Sequence, residues 1–579
     1  MSGPPAGPDA RLVPAAAATW AAAWWATGGS AGAVGAAAAT AILVAVLAAV
    51  RAVRRRSAPV LPAVALVAAA VAVVLAGAAA ALSERSAGRW PTWVAGRVVA
   101  QLDGTLATDP QRLVGAFPGA GDRYALIVDL ASAQARGDVQ QLSVPVVVLA
   151  PASWRDLSAG QGVVLSGRLA PAQPGDAAAA VVSALGPPLR VDAGSWPWRV
   201  ADRVRAALRQ ACTGLPADAG GLLPSLVDGD GSRLPDSLRV DLRTSGLTHL
   251  TAVSGANLTI VAESVLWMAS VLRAPRAVRV SLLVVALTGF VVLARPSPSV
   301  LRAAAMGGVA IVATALSRRP RGLPALAAAA VILLAIDPWL CRSAGFALSV
   351  VATAALLTLA PMWAAALSRR MPRPLAVALA APAAAQVACG PVLVLLQPAV
   401  STVAIPANLL AEPVVAPTTM IGVAVAAVGT VLPPAAHLGA VVAAVGTSWI
   451  SIVAHCAAGA PVATVPIPAG PAGAGLLAGL EAVVVVLVSP SLRALVVRRL
   501  RRPLRRRPPA ADRQTVPARF PGAGADVSRR ALVGLAGAVL GAAVLWVAGS
   551  RSRGTGRGPG FGDWSVAMCD VGQGDATVL

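Results

Sequence analysis

The stretch that decides the fold is G-L-T-H-L-T-A-V-S-G-A-N-L, residues 246–258, where polar residues stand at the start of a long apolar run. It brings His249, Ser254, Gly255 and Asn257 together within nine positions. Polar groups are costly inside lipid, and those that occur there usually face a cavity or a pathway. We therefore expect this stretch to lie where something polar passes or reacts at a membrane.

The composition indicates a membrane protein. The chain has 579 residues, of which 57% are hydrophobic, and its mean hydropathy is +0.72. Apolar runs of about 20 residues recur, and each is long enough to cross a bilayer as a helix. The net charge of +23 comes from arginine alone, because the sequence contains no lysine, and arginine-rich cytoplasmic loops account for it. The expected fold class is a polytopic α-helical membrane protein.

Cysteine and histidine are too scattered to indicate a metal centre. The five cysteines have no C-x-x-C spacing, and the three histidines, His249, His437 and His455, have no H-x-H or H-E-x-x-H spacing. No G-x-x-x-x-G-K-[ST] loop occurs either, so nucleotide-driven work would need a separate protein. We therefore predict no metal site, no cofactor and no catalytic residue.

Between residues 90 and 195 the long apolar runs give way to short alternating segments such as V-A-G-R-V-V-A-Q-L and Y-A-L-I-V-D-L. About five such strands, separated by turn residues, predict an all-β, OB-like barrel. OB-folds often bind single-stranded nucleic acid, but seven arginines against eight aspartates argue against strong DNA binding by this domain alone. Residues 196–245 follow, with an apolar face and tryptophans that predict amphipathic interfacial helices. Packing of these helices on protein is the alternative.

Arginine clusters orient the predicted helices. The N-terminal range 1–85 contains about three helices by the length criterion, and the cluster Arg51–Arg56 places the end of the second in the cytoplasm. With the barrel outside, every second later connection is cytoplasmic, and all of these carry arginine clusters except the 433–436 turn. We therefore expect the OB-like domain and the C-terminus to be extracytoplasmic. Residues 493–530 are then an Arg-rich cytoplasmic loop before a last membrane helix at 531–549.

Further polar residues lie within apolar runs, among them Arg302, Asn408 and Glu412, together with Glu263 and Gln386. Arg302 follows P-S-P-S-V-L, and an arginine facing an aqueous path favours an anion; snorkelling toward the interface is the alternative. Asn408 and Glu412 lie in S-T-V-A-I-P-A-N-L-L-A-E-P, residues 401–413. Its prolines favour a broken or re-entrant segment that lines a cavity. A plain connection that enters a helix is the competing interpretation.

His249 and Ser254 also suggest a base and a nucleophile. The serine stands in A-V-S-G-A, which lacks the G-x-S-x-G elbow, and no third orienting residue is evident. Ser254 and Gly255 equally fit close packing between helices.

Five stretches, in their order along the chain, resemble the ComEC-type competence protein family. They are H-L-T-A-V-S-G-A-N, P-S-P-S-V-L-R-A, D-P-W-L-C-R-S-A-G-F-A-L-S-V-V-A-T, A-N-L-L-A-E-P and the terminal D-V-G-Q-G-D-A. The resemblance implies a competence-type transmembrane channel domain at 246–492 and a metallo-β-lactamase-like domain whose first strands occupy 563–579. The sequence ends before any H-x-H-x-D-H motif, so we expect this domain to be truncated and the chain not to be an enzyme. Asn257 stands where many relatives have a second histidine.

The same resemblance implies a function. The family carries single-stranded DNA across the bacterial cytoplasmic membrane during natural transformation. The DNA path that we predict is lined by His249, Ser254, Gly255, Asn257, Arg302, Asn408 and Glu412. The implied partners are single-stranded DNA, the lipid bilayer, a DNA receptor outside, and an ATP-driven motor or single-strand-binding proteins inside; a homo-oligomer is left open. The alternatives are a membrane-embedded hydrolase that uses Ser254 and His249, and a transporter of small anionic solutes.

Overall fold

The computed structural model describes residues 11–54, 60–113, 122–251, 255–315 and 322–488, and two short strands near the C-terminus. Within these ranges the apolar helices form a helical block, and one β-sheet domain is inserted in the sequence between the fourth and fifth helices. The predicted combination of a helical membrane protein with a β domain is confirmed at this level. The predicted membrane helix at 531–549 lies outside the described residues.

The helices of the described ranges are mostly long and rich in alanine, leucine and valine. They are α1 (Val13–Ala26), α2 (Ala31–Arg54), α3 (Leu61–Ser86), α4 (Trp90–Ala95), α5 (Trp196–Ala211), α6 (Ala217–Asp228), α7 (Asp236–Thr244), α8 (Gly255–Val271), α9 (Arg276–Leu293), α10 (Pro298–Ala315), α11 (Gly322–Ile336), α12 (Ala344–Leu367), α13 (Arg373–Leu396), α14 (Ala404–Gly429), α15 (Pro433–Ala458) and α16 (Pro471–Val488).

Six of these helices, α2, α3 and α12 to α15, are long and apolar enough to cross a membrane. Five shorter apolar helices accompany them in the same part of the chain. Length and composition therefore make the chain a multi-pass membrane protein.

The helix α14 decides between the two interpretations of residues 401–413. It runs without a break from Ala404 to Gly429, although Pro413 and Pro417 lie inside it. The broken or re-entrant segment is therefore wrong, and the connection that enters a helix is confirmed. A proline inside a helix removes one backbone hydrogen bond, and packing against α15 maintains the helix here.

The β domain is a sheet that closes on itself. Its strands are β1 (Val99–Leu106), β2 (Gln111–Leu113), β3 (Arg123–Ala135), β4 (Asp138–Pro151), β5 (Gly162–Pro171), β6 (Ala180–Ala184) and β7 (Arg190–Asp192). The order is β1-β3-β4-β6-β5, and β5 pairs again with β1. The β4–β6 pair is parallel, whereas the other pairings are antiparallel. Closure of this kind leaves no free edge along the five-strand path.

Alternating side chains fill the barrel. Every second residue of β1 is buried, and Leu102, Leu126, Leu165 and Trp154 are almost completely inaccessible to solvent. The register shifts between Asp103 and Gly104 where β1 pairs with β3. Such a bulge bends a strand and increases its twist, which helps a small sheet to close.

Several connections meet on one side of the helical block. In the barrel, Asp109 pairs with Arg295 of the α9–α10 connection, and the Asp176 carbonyl accepts a hydrogen bond from Arg85 at the end of α3. Arg342, between α11 and α12, donates to Thr27 in the turn between α1 and α2. Arg342 also lies beside the barrel, because a Cβ atom at Gly175 would stand 2.7 Å from its Nη1. These contacts place the barrel and three helix connections on the same side of the helical block.

Two strand pairs complete the description. The strand β8 (Ala399–Ser401) pairs with β9 (Thr464–Pro466), which joins the α13–α14 and α15–α16 connections. Near the C-terminus, β10 (Ala567–Cys569) pairs with β11 (Ala576–Val578). These two strands flank the D-V-G-Q-G-D motif, and their membership of a metallo-β-lactamase-like domain stays a prediction.

Candidate functional site

A cavity of about 1140 Å³ lies among the helices α8, α9, α10, α12, α13 and α14. Most of its wall is apolar, and a smaller set of polar side chains converges on it. These are His249, Thr259, Arg279, Ser299, Arg302, Ser349, Thr353, Gln386, Asn408 and Glu412. An apolar wall with a few convergent polar groups is typical of ligand sites.

Gly246 places His249 beside the start of α14. Its φ of +74° lies in the left-handed region, which glycine adopts without steric cost. A Cβ atom at this position would also stand 2.6 Å from the Cβ of Ala404. Only glycine therefore allows the chain to pass α14 so closely and to form the 3₁₀ turn Thr248–Leu250 that contains His249.

Asn408 and Glu412 lie on one face of α14. They are four residues apart and so stand one helical turn from each other, and both line the cavity. The amide nitrogen of Asn408 donates to the carbonyl of Ala404 at 2.8 Å. This bond leaves the amide oxygen of Asn408 available as an acceptor beside a carboxyl group.

Arg302 is the buried cation of this cavity. It follows the first turn of α10 and is only 8% exposed. Its Nε donates to the Ser349 hydroxyl of α12 at 2.6 Å, and its Nη1 lies 3.5 Å from the Met306 sulfur. No ion pair within the described ranges includes Arg302. A buried charge is normally paired because its desolvation is costly, so Arg302 carries uncompensated positive charge at the cavity wall.

The structure does not bring all the predicted residues together. His249, Arg302, Asn408 and Glu412 line the same cavity, whereas the buried amide of Asn257 donates to the carbonyl of Leu226 at 2.8 Å. This bond fastens α8 to α6. Gly255 is the first residue of α8, and its position relative to the cavity lies outside what the structure describes. Ser254 lies outside the described residues, and with it the proposed pair of Ser254 and His249.

Other members of the cavity wall were not among the predicted site residues. Ser349 holds Arg302, and Gln386 and Cys389 stand on α13. Ser349 and Gln386 interrupt apolar runs, which is the signal that identified Arg302. In the sequence, Arg279 belongs to an arginine cluster that is predicted to be cytoplasmic. In the structure it also borders the cavity.

A second polar cluster fixes the barrel to the helices. Arg205 of α5, which is 5% exposed, donates to the carbonyls of Asp228 and Leu293 at 2.8 and 3.0 Å and to the Asp109 carboxylate at 3.2 Å. Arg295 also binds Asp109, at 3.1 Å. The barrel, the helices α5 and α6 and the α9–α10 connection therefore share one network of charges.

Burial sets the protonation of this network. Burial raises the pKa of Asp228 to about 6, although Arg205 lies beside it. Burial also opposes the charge of Arg205, but the carboxylates of Asp228, Asp109 and Asp230 outweigh it and raise the arginine's pKa. Asp230 behaves in the opposite way to Asp228: burial works against its charge, but Arg205 and hydrogen bonds from Ser232 and Arg209 lower its pKa to about 2. Within the described residues, no group of three or more His, Cys, Asp or Glu side chains is placed to hold a metal ion.

Comparison with known proteins gives a family match within the helical block. Residues 226–492 match the competence protein family. A stretch of 135 residues is 32% identical to ComE operon protein 3 of Bacillus subtilis (strain 168). That stretch covers 23% of this chain and 17% of the relative, so the match spans about a sixth of the relative's length. No solved structure matches the chain significantly.

Proposed function

We propose that this chain, a ComEC-type protein with its competence domain at residues 226–492, carries single-stranded DNA across the bacterial cytoplasmic membrane. Family membership implies a role in competence DNA uptake. The observation that carries the finer proposal is the uncompensated charge of Arg302, which is buried at the wall of a large cavity between membrane helices.

The chemistry of DNA matches this cavity. Each nucleotide brings one phosphate charge, which cannot cross hydrocarbon unless water or polar groups accompany it. The guanidinium of Arg302 supplies a positive charge that attracts phosphate, and its hydrogen bond to Ser349 holds it in place. Glu412 faces the same space and repels phosphate, which prevents a tight complex. Few fixed cations favour movement, because many phosphate contacts would hold the strand.

The β domain supports a route to this cavity. Its closed five-strand order favours the OB type. OB-folds bind oligonucleotides with the loops that here connect β1 to β3 and β5 to β6. Asp109 in the first loop and Asp176 in the second both contact arginines of the helical block. A strand held by these loops would therefore lie next to the membrane helices.

The arrangement across the membrane is part of the proposal. Arginine clusters assign the barrel and the C-terminus to the outside, where a DNA receptor would deliver the strand. A motor or single-strand-binding proteins inside would draw the strand inward, because the sequence has no nucleotide-binding loop. The β10–β11 pair supports the assignment of residues 563–579 to the start of a metallo-β-lactamase-like domain.

The test replaces Arg302 in a transformable bacterium that depends on this gene for uptake. We expect Arg302→Gln to reduce internalised single-stranded DNA about tenfold or more, because a hydrogen bond to a charged group contributes about 1.5–3 kcal/mol. Surface-bound DNA should not change, and Arg302→Lys should retain part of the uptake because it retains the charge. The measurement is labelled DNA protected from external nuclease, scored separately from bound DNA.

The matched control is Arg190→Gln, which removes an exposed arginine of the barrel outside the β1–β3 and β5–β6 loops and should leave uptake at the wild-type level. Membrane levels of each variant are compared by immunoblotting. Wild-type internalisation by Arg302→Gln, at equal protein levels, would contradict the proposal.

A further inference from the structure

Glu481 is a carboxyl group on an otherwise apolar membrane helix. It is the one ionisable residue in the sequence of α16, P-A-G-A-G-L-L-A-G-L-E-A-V-V-V-V-L-V. Ionisable residues within membrane helices are costly and usually functional. Glu481 is not part of the cavity wall as described, so the path proposed for DNA does not account for it.

Gly390 of α13 makes room for this carboxyl group. A Cβ atom at residue 390 would collide with Oε1 of Glu481 and would stand 3.2 Å from Cδ2 of Leu477. The helices α13 and α16 therefore approach each other at a glycine, and the carboxyl group fills the space that a side chain would occupy. Its second oxygen, Oε2, is buried and has no hydrogen-bond partner.

Within the described part of the chain, the surroundings of Glu481 do not stabilise a negative charge. The neighbouring helices α12 and α13 pack through an apolar cluster that includes Trp363 and reaches Val485 on α16. The sequence of α12 contains no ionisable residue. On α13 the ionisable groups are Cys389, next to Gly390, and Arg373 at the helix start, roughly 25 Å away along the axis. A carboxylate without a partner in such a place costs several kcal/mol, and a protonated carboxyl group avoids this cost.

The same carboxyl group lies close to the cavity. Cys389, the residue adjacent to Gly390, is part of the cavity wall, and so is Gln386 one turn earlier. Glu481 therefore packs against α13, the helix that also supplies Cys389 and Gln386 to the cavity wall.

We propose that Glu481 is a proton-binding site of the membrane block. Its carboxyl group holds a proton while its surroundings are dry. When water from the cavity reaches it, the proton passes from the carboxyl oxygen to that water and leaves a hydrated carboxylate. This inference does not depend on what the cavity carries.

The test is infrared spectroscopy of the full-length protein in liposomes, with no DNA present. The C=O stretch of a protonated carboxyl group should persist at about pH 7, where an ordinary glutamate, with a pKa of about 4.3, is ionised. Glu481→Gln should remove one such group per chain. Glu412→Gln is the matched control, because it removes the carboxyl group that faces the cavity, and it should leave the Glu481 band in place.

A second variant tests the space beside Gly390 that the carboxyl group of Glu481 fills. Gly390→Ala introduces a methyl group where Oε1 lies, so it should shift or remove the same band while the glutamate remains. Absence of a protonated carboxyl band from the wild-type protein at about pH 7 would overturn the proposal without any variant. A band that persists unchanged in Glu481→Gln would overturn it as well.

Discussion

At the scale of single residues, the buried carboxyl of Asp228 makes stability depend on pH. Its Oδ1 accepts a hydrogen bond from the backbone of Asp230 at 3.0 Å, and its Oδ2 is buried without a partner. Since burial raises its pKa to about 6, the folded protein binds a proton at this site that the unfolded chain, with an ordinary pKa of about 3.9, has already lost. The contribution of Asp228 to stability is therefore present below about pH 4 and is lost as the pH rises to about 6.

We predict that Asp228→Asn flattens this part of the stability profile. A difference of about two pKa units corresponds to about 3 kcal/mol, and asparagine cannot ionise. The measurement is thermal unfolding of the purified protein in detergent between about pH 4 and pH 7. Asp122→Asn, at an exposed site of the barrel, is the control and should keep the wild-type slope. A wild-type slope in Asp228→Asn would show that another group causes the dependence.

At the scale of elements, glycines allow α14 and α15 to approach closely. A Cβ atom at Gly446 of α15 would collide with the Thr418 hydroxyl of α14. The contact matters for the site because α14 also carries Asn408 and Glu412. Displacement of α14 at this contact would therefore change the wall of the cavity.

We predict that Gly446→Ala destabilises the protein by about 1–3 kcal/mol, the usual cost of overpacking. Thr418→Ala removes the colliding oxygen, so the double variant should recover part of that loss. Unfolding in detergent measures both effects. If the single and the double variant lose the same free energy of unfolding, the collision with the Thr418 hydroxyl is not the cause of the loss. Gly479→Ala on α16 is the control, because a Cβ atom there meets no other atom within 4 Å.

The positions of the helices could be predicted from the sequence because length and apolar composition are local properties. The Gly28-Gly29-Ser30 turn separates α1 from α2 in the same local way. Pairings between distant residues could not be predicted: His455 contacts Asp218 and Asp241, which lie 237 and 214 positions away. Asn257 illustrates the same limit, since its position before an apolar run does not reveal that its amide binds α6. Polar residues in apolar runs indicated Arg302, Asn408 and Glu412, but not Ser349, because a single serine in a helix is ordinary.

At the scale of the whole molecule, contacts group the barrel with the connections α1–α2, α9–α10 and α11–α12. The α12–α13 connection at 368–372 follows a helix of 24 residues that starts on this side. By its length such a helix can cross the membrane, so this connection should lie on the opposite side.

We predict opposite labelling of two introduced cysteines. Val139→Cys, in the barrel, should react with a membrane-impermeant maleimide in cells without a wall, since Val139 is 61% exposed. Arg369→Cys, in the exposed α12–α13 connection, should react only after permeabilisation. The native cysteines Cys456, which is exposed, and Cys569 are first replaced by alanine, and the parent without an introduced cysteine is the control. The reverse pattern would overturn the orientation derived from the arginine clusters.

The short ladder between β8 and β9 has a mechanical consequence. It joins the chain before α14 to the chain after α15, so these two helices are linked at both ends: by the turn at 430–432 and by the pairing of Val400 with Val465. Force on α14 is therefore transmitted through the ladder to α13 and α16, which adjoin the same two strands. A load on α14 would therefore also reach the contact between Gly390 and Glu481, where α13 and α16 meet.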